Sequence, residues 1–182
     1  MIGVLVSGEG TNLQALIDAG LPVTAVASNR TGVRALERAQ AAGVHAATFA
    51  LDDFGSRGDR DLAMADWLEG RGVSLVVCAG YMHLLTPEFM SRFPERVVNI
   101  HPSLLPAFPG THAIEDALSA RAAETGVTVH LVDEGVDTGP VLAQEGVVVE
   151  PGDTLGSLSE RIHAVEHRLY PSVVRDLIED VR

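Results

Sequence analysis

The chain has 182 residues, 46% of them hydrophobic, enough for one substantial core and a single domain spanning residues 1–182. Its 13 basic residues stand against 25 acidic ones, a net charge of −12 that repels nucleic acid and anionic membranes, so neither is an expected partner. All of the cations are arginine, which excludes Schiff-base chemistry on a lysine, and the single cysteine, Cys78, excludes an intrachain disulfide and a cysteine-based zinc site.

Met1-Ile2-Gly3-Val4-Leu5-Val6 reads as a strand rather than a signal peptide, no apolar stretch is long enough to span a bilayer, and a cytoplasmic location is expected. Short apolar runs at 2–7, 22–28, 44–49, 73–78 and 97–101 alternate with helical patterns at 11–19, 32–42, 59–70 and 87–93. Near-continuous apolar strands separated by helices predict an α/β chain with a mostly parallel, doubly wound, Rossmann-like sheet. Gly20, Gly43 and Gly72 stand where helices should stop. Cys78 falls in the apolar run Val73 to Ala79 and reads as a small core residue rather than a nucleophile.

The pattern changes after residue 101. A proline-rich loop, Pro102 to Gly110, precedes a helix at about 112–123 and two strands at 126–133 and 140–149, predicted to be antiparallel. Asp153-Thr154 opens a long C-terminal helix to about 180, interrupted near Pro171. The second part extends the same sheet, with no linker, repeat or low-complexity segment between.

The first strand runs into Ser7-Gly8-Glu9-Gly10-Thr11-Asn12-Leu13, which opens a helix. Glycines allow close backbone approach, and free amides at a helix N-terminus favour a phosphate. A dinucleotide fingerprint is disfavoured: Leu13 stands at its third glycine, and Asn29-Arg30 replaces the acidic residue expected after the second strand. The simpler alternative is a tight turn capped by Thr11 or Asn12.

Asn99 and His101 are two apart on a strand that breaks at Pro102, so their side chains leave the same face where ligands bind in open α/β sheets. Downstream, Gly135-Val136-Asp137-Thr138-Gly139-Pro140 supplies a carboxylate, Asp137, in a turn. Amide, imidazole and carboxylate together suggest an enzyme that handles an oxyanion and moves a proton. His45, His112, His130, His163 and His167 show no metal-ligand spacing, and no metal is expected.

With these residues in place the chain resembles the phosphoribosylglycinamide formyltransferases, a folate-dependent family, nearly end to end. The resemblance rests on Ser7 to Gln14, Ala79-Gly80-Tyr81-Met82, Asn99 to Pro106, Gly126 to Asp133, Asp137 to Pro140, and Glu166-His167 before Tyr170-Pro171. It implies the formyltransferase fold, a phosphate-binding half at 1–101, and a folate and active-site half at 102–182. It also implies attack by the amine of glycinamide ribonucleotide on the formyl carbon of 10-formyltetrahydrofolate, as a step of purine synthesis, without a metal, in a monomer or homodimer.

In that scheme Asn99 donates to the oxyanion, His101 assists it and moves protons, and Asp137 holds and polarises His101. Gly10, Thr11 and Asn12 fall where the ribonucleotide phosphate binds, and His163, Ala164, Val165 and Glu166 on a segment contacting the same substrate. Arg57, Met82, His83, Leu84, Leu85, Asn99, Asp133, Glu134, Gly135, Val136 and Asp137 line the folate pocket. His83 stands where the family often carries an arginine. Two relatives with other activities, a formyltetrahydrofolate hydrolase and a methionyl-tRNA formyltransferase, resemble the core but carry an additional domain that is not expected here. A non-catalytic phosphate- or folate-binding module is the rival from another class.

Overall fold

The computed structural model describes residues 1–179, and the last residues of the predicted C-terminal helix, 180–182, lie outside the described residues. Seven strands form one sheet in the order β3-β2-β1-β4-β5-β6-β7. The parallel part comprises β1 (Ile2–Val6), β2 (Val23–Ser28), β3 (His45–Thr48), β4 (Leu75–Cys78) and β5 (Val97–His101). β6 (Glu124–Leu131) pairs antiparallel with β5, and β7 (Val141–Val148) antiparallel with β6. The mostly parallel, doubly wound sheet with an antiparallel C-terminal extension is therefore as the sequence predicts.

Helices α1 (Thr11–Asp18), α2 (Arg34–Ala41), α3 (Arg57–Glu69), α4 (Pro87–Arg92), α5 (Ala113–Ser119) and α6 (Leu155–Glu179) cover the sheet. Alternation along the central strand divides the core. Ile2, Val4 and Val6 join a cluster with Leu13 and Leu16 of α1 and Leu158, Ile162, Tyr170 and Val174 of α6. Leu5 faces the opposite cluster, with Met64 and Leu68 of α3 and Phe89 and Phe93 at α4. Cys78 is buried here, its thiol pushed up to about 12 by desolvation, as suits a core residue.

Two expectations need correction. α6 is not interrupted at Pro171 but runs through it. Pro171 and its neighbour Tyr170 are buried, and the Tyr170 hydroxyl donates to the carbonyls of Cys78 (2.8 Å) and Val98 (3.1 Å), so tertiary packing outweighs the lost backbone donor. α3 begins at Arg57 rather than 59, because Ser56 caps it by accepting from the Asp59 amide at 3.1 Å. Among the described residues no helix is long and apolar enough to cross a membrane.

The order reverses between β1 and β4, whose C-terminal ends face the crevice where α/β sheets bind ligands. The loops after β1, β4 and β5 meet there.

Candidate active site

Asn99 and His101 sit at the end of β5, and the antiparallel register sets Asn99 opposite His130 and His101 opposite Thr128. The His130 Nδ1 lies 2.8 Å from the Leu131 carbonyl, which can only accept, so Nδ1 carries the proton and Nε2 is left as an acceptor. Asn99 Nδ2 donates to that Nε2 at 3.2 Å, using one of its two N–H groups and leaving the other free.

His101 is 5% exposed. Its Nε2 donates to the Phe108 carbonyl at 2.8 Å, while Nδ1 lies 3.4 Å from Asp137 Oδ2. The same carboxylate accepts from the Gly110 amide at 2.9 Å, and its other oxygen lies 3.7 Å from His130 Nε2. A carbonyl thus stands at one ring nitrogen and a carboxylate near the other, which fixes the orientation of the ring. Phe108 and Asp137 both have positive φ, +51° and +54°. The turn between them and β5 is fixed by Thr128, whose hydroxyl donates to the Ser103 carbonyl (2.7 Å) and accepts from the Leu105 amide (3.0 Å).

The loop carrying Asp137 organises itself. Asp133 Oδ1 accepts from the Gly135 amide at 3.0 Å and the Thr138 hydroxyl at 2.7 Å. A Cβ on Gly135 would stand 2.0 Å from that hydroxyl, so a side chain there would displace the Thr138 hydroxyl from Asp133. Glu134 and Val136 are exposed on it.

At the other side of the crevice Gly10 is the N-cap of α1, with φ +72°, and no side chain caps the helix. A Cβ there would meet Ala35 Cβ at 2.6 Å, so both conformation and packing require glycine. The alternative of a Thr11 or Asn12 cap is thus not what forms. Asn12 instead donates to Glu166 Oε2 on α6 at 3.0 Å, and its Oδ1 is buried with no partner. Glu166 is 5% exposed; burial raises its carboxyl above the usual range, opposed by Asn12 and by the charges of His163 and His101. His163 is exposed and stacks on His167, rings 6.1 Å apart; Ala164 is exposed, and Val165 packs on the core rather than opening to the crevice. Thr11 and His167 also line an open groove of about 510 Å³ with Gln14 and Arg38, outside α1.

The loop after β4 holds Met82 and Leu84 exposed, while Leu85 packs on the core. Arg57 donates to the Leu84 carbonyl, so it braces this loop. Beneath lies a pair that sequence reasoning missed. Arg60 and Asp61, both 0% exposed, bond through Nε–Oδ1 at 2.8 Å and Nη2–Oδ1 at 2.6 Å. Asp61 Oδ2 accepts from the Thr86 amide at 2.9 Å, and Arg60 Nη1 donates to His83 Nδ1 at 2.6 Å. His83 is therefore an acceptor at Nδ1; burial, then the charges of Arg60, Arg57 and Arg30, lower its pKa. Among the described residues no group of three or more His, Cys, Asp or Glu is arranged to hold a metal ion.

The sequence profile of a family described as formyl transferase matches residues 1–174. A phosphoribosylglycinamide formyltransferase of Mycobacterium tuberculosis is 46% identical over 179 residues, covering 96% of this chain and 83% of that protein. The trifunctional purine biosynthetic protein adenosine-3 of Drosophila pseudoobscura pseudoobscura is 44% identical over 178 residues, 93% of this chain, which spans only 13% of that protein's length. The crystal structure of glycinamide ribonucleotide transformylase 1 from Symbiobacterium toebii superposes with a TM-score of 0.96 at 46% identity, covering 98% of this chain and 87% of that one.

Proposed function

Because the chain belongs to the formyl transferase family, we propose that it moves the formyl group of 10-formyltetrahydrofolate to the amine of 5'-phosphoribosylglycinamide, giving formylglycinamide ribonucleotide for purine synthesis. One observation carries this reading: an amide, an imidazole and a carboxylate converge at the end of β5, beside an uncapped helix N-terminus. Residues 1–182 are read as one domain, with the phosphate site in 1–101 and the folate and catalytic groups largely in 102–182.

The phosphate docks on the free amides of Gly10, Thr11 and Asn12. His163, Ala164 and Glu166 border the same substrate, Glu166 near its ribose or amine, while Val165 packs on the core behind them. The folate lies along Arg57, Met82, His83, Leu84 and Leu85 and the loop Asp133, Glu134, Gly135, Val136 and Asp137. Attack forms the new C–N bond and an oxyanion. The free N–H of Asn99 donates to that oxygen, its sibling N–H being held by His130, and the His101 ring stands beside it. Collapse breaks the bond to folate N10; the attacking nitrogen loses a proton and N10 gains one, with the His101–Asp137 pair as the carrier. No covalent enzyme intermediate is needed.

The test is to mix the purified chain with both substrates and follow both products. Formylglycinamide ribonucleotide appearing with tetrahydrofolate is the expected result. Formate released without need of the ribonucleotide would replace it with a hydrolase, and binding without turnover with a non-catalytic module.

A further inference from the structure

Two loops face each other across the crevice, 7–10 leading into α1 and 79–86 leading into α4. The first is braced by α2: the Gly8 carbonyl accepts from the Ala35 amide at 3.1 Å, and the Glu9 carbonyl from Arg38 Nε at 2.8 Å. The second is braced by α3, through Asp61 on the Thr86 amide and Arg57 on the Leu84 carbonyl. One hydroxyl joins them. Ser7 Oγ accepts from the Met82 amide at 2.9 Å and donates to Asn29 Oδ1, just beyond β2, at 2.6 Å.

Ser7 is 3% and Asn29 6% exposed, so the bond between them is shielded from water, while the bond to Met82 is partly buried. A hydroxyl can accept from one partner while donating to another, and Asn29 fixes the direction of its proton so that the lone pairs face Met82. Removing the oxygen leaves the Met82 amide without its partner on a loop that turns at Gly80, φ +76°.

We propose that Ser7 is a positioning residue that fixes the 79–86 loop against the first loop, so that ribonucleotide held at α1 and folate held along Met82 to Leu85 favour one another's binding. This rests on the function proposed above. A ligand that draws one loop towards itself shifts the other through Ser7, and linkage makes the effect reciprocal.

Calorimetric titration of glycinamide ribonucleotide, with and without saturating tetrahydrofolate, reads the coupling directly. In the wild type, tetrahydrofolate should tighten ribonucleotide binding about fivefold or more. In Ser7→Ala that factor should fall towards one, and the KM for the formyl donor should rise about tenfold while kcat falls less. Asn29→Ala, which frees the Ser7 proton but keeps its lone pairs, should give an intermediate factor and serves alone if Ser7→Ala does not fold. A wild-type coupling factor in both variants, whatever their melting temperatures, overturns the proposal. Wild-type protein that binds both ligands independently overturns it while leaving the function intact; wild-type protein that binds neither removes the function and the proposal together.

Discussion

Asn12, on the first turn of α1, donates to Glu166 of α6 at 3.0 Å across 154 positions of sequence. The bond ties the start of α1 to the C-terminal helix and leaves Asn12 Oδ1 buried without a partner.

The same bond makes Glu166 a trade between fold and function. Burial raises its pKa, so the folded state holds the proton more tightly than the unfolded chain does. This group stabilises the fold at acid pH, and the contribution is lost as pH rises through the raised pKa. Glu166→Gln keeps an acceptor for Asn12 and removes the charge. It should melt higher than wild type at neutral pH, with the gap closing towards the ordinary glutamate pKa of about 4.3, and its ribonucleotide KM should rise about tenfold. Thermal melts across pH decide the first point; a variant that melts lower at neutral pH contradicts it.

Asp137→Asn should keep ribonucleotide and folate binding and lose about 10²–10⁴-fold in kcat, because the neutral amide cannot replace the carboxylate in proton transfer through His101. His101→Ala should lose a similar factor, and the double variant little more, since the two act as one unit. Single-turnover rates with binding measured separately check this. A double variant that loses the product of the two factors would show independent roles.

Arg60→Met should destabilise the chain by about 3–5 kcal/mol, because it leaves the Asp61 carboxylate buried without its partner. Replacing both partners, Arg60→Met with Asp61→Leu, should recover part of that loss, while the Thr86 amide still lacks an acceptor. Urea denaturation of the wild type and the two variants gives the comparison; equal stabilities for single and double variants would deny the pair its coupling.

His83 accepts from Arg60 only while Nδ1 is unprotonated. Its pKa is lowered in the fold, so the unfolded chain binds the proton more readily, and the stability it contributes is present above about pH 6.5 and lost as pH falls through the lowered pKa. His83→Gln should flatten the stability profile across that acid window. Hydrogen exchange at the amides of 82–86 would register the loosening in the wild type and its absence in the variant.

Much of this was legible in the chain. Apolar runs separated by helical patterns give the sheet, and the spacing of Asn99 and His101 places both at its ligand-binding end. What escaped depends on elements far apart in sequence. His130 reads from the sequence as packing near the site or pairing with backbone, and it does both, but its bond to Asn99 is conferred by the β5–β6 register. Arg60-Asp61 offers no reading from the sequence, because the pair is a brace only through its bonds to His83 and Thr86 of the 79–86 loop. Pro171 reads as a break by local rule, and the local rule loses to the packing of Tyr170 and Val174.

Both partners of the His101 ring, the Phe108 carbonyl and the Asp137 carboxylate, belong to residues whose backbone is left-handed. For side chains other than glycine that conformation costs on the order of 1 kcal/mol or more per residue. The imidazole is aimed by two sprung loops rather than by its own strand, and the spring can be relaxed. Glycine at 108 would relieve the backbone while leaving the carbonyl free to drift, so a screen that rewards heat resistance alone would select against the alignment of the ring.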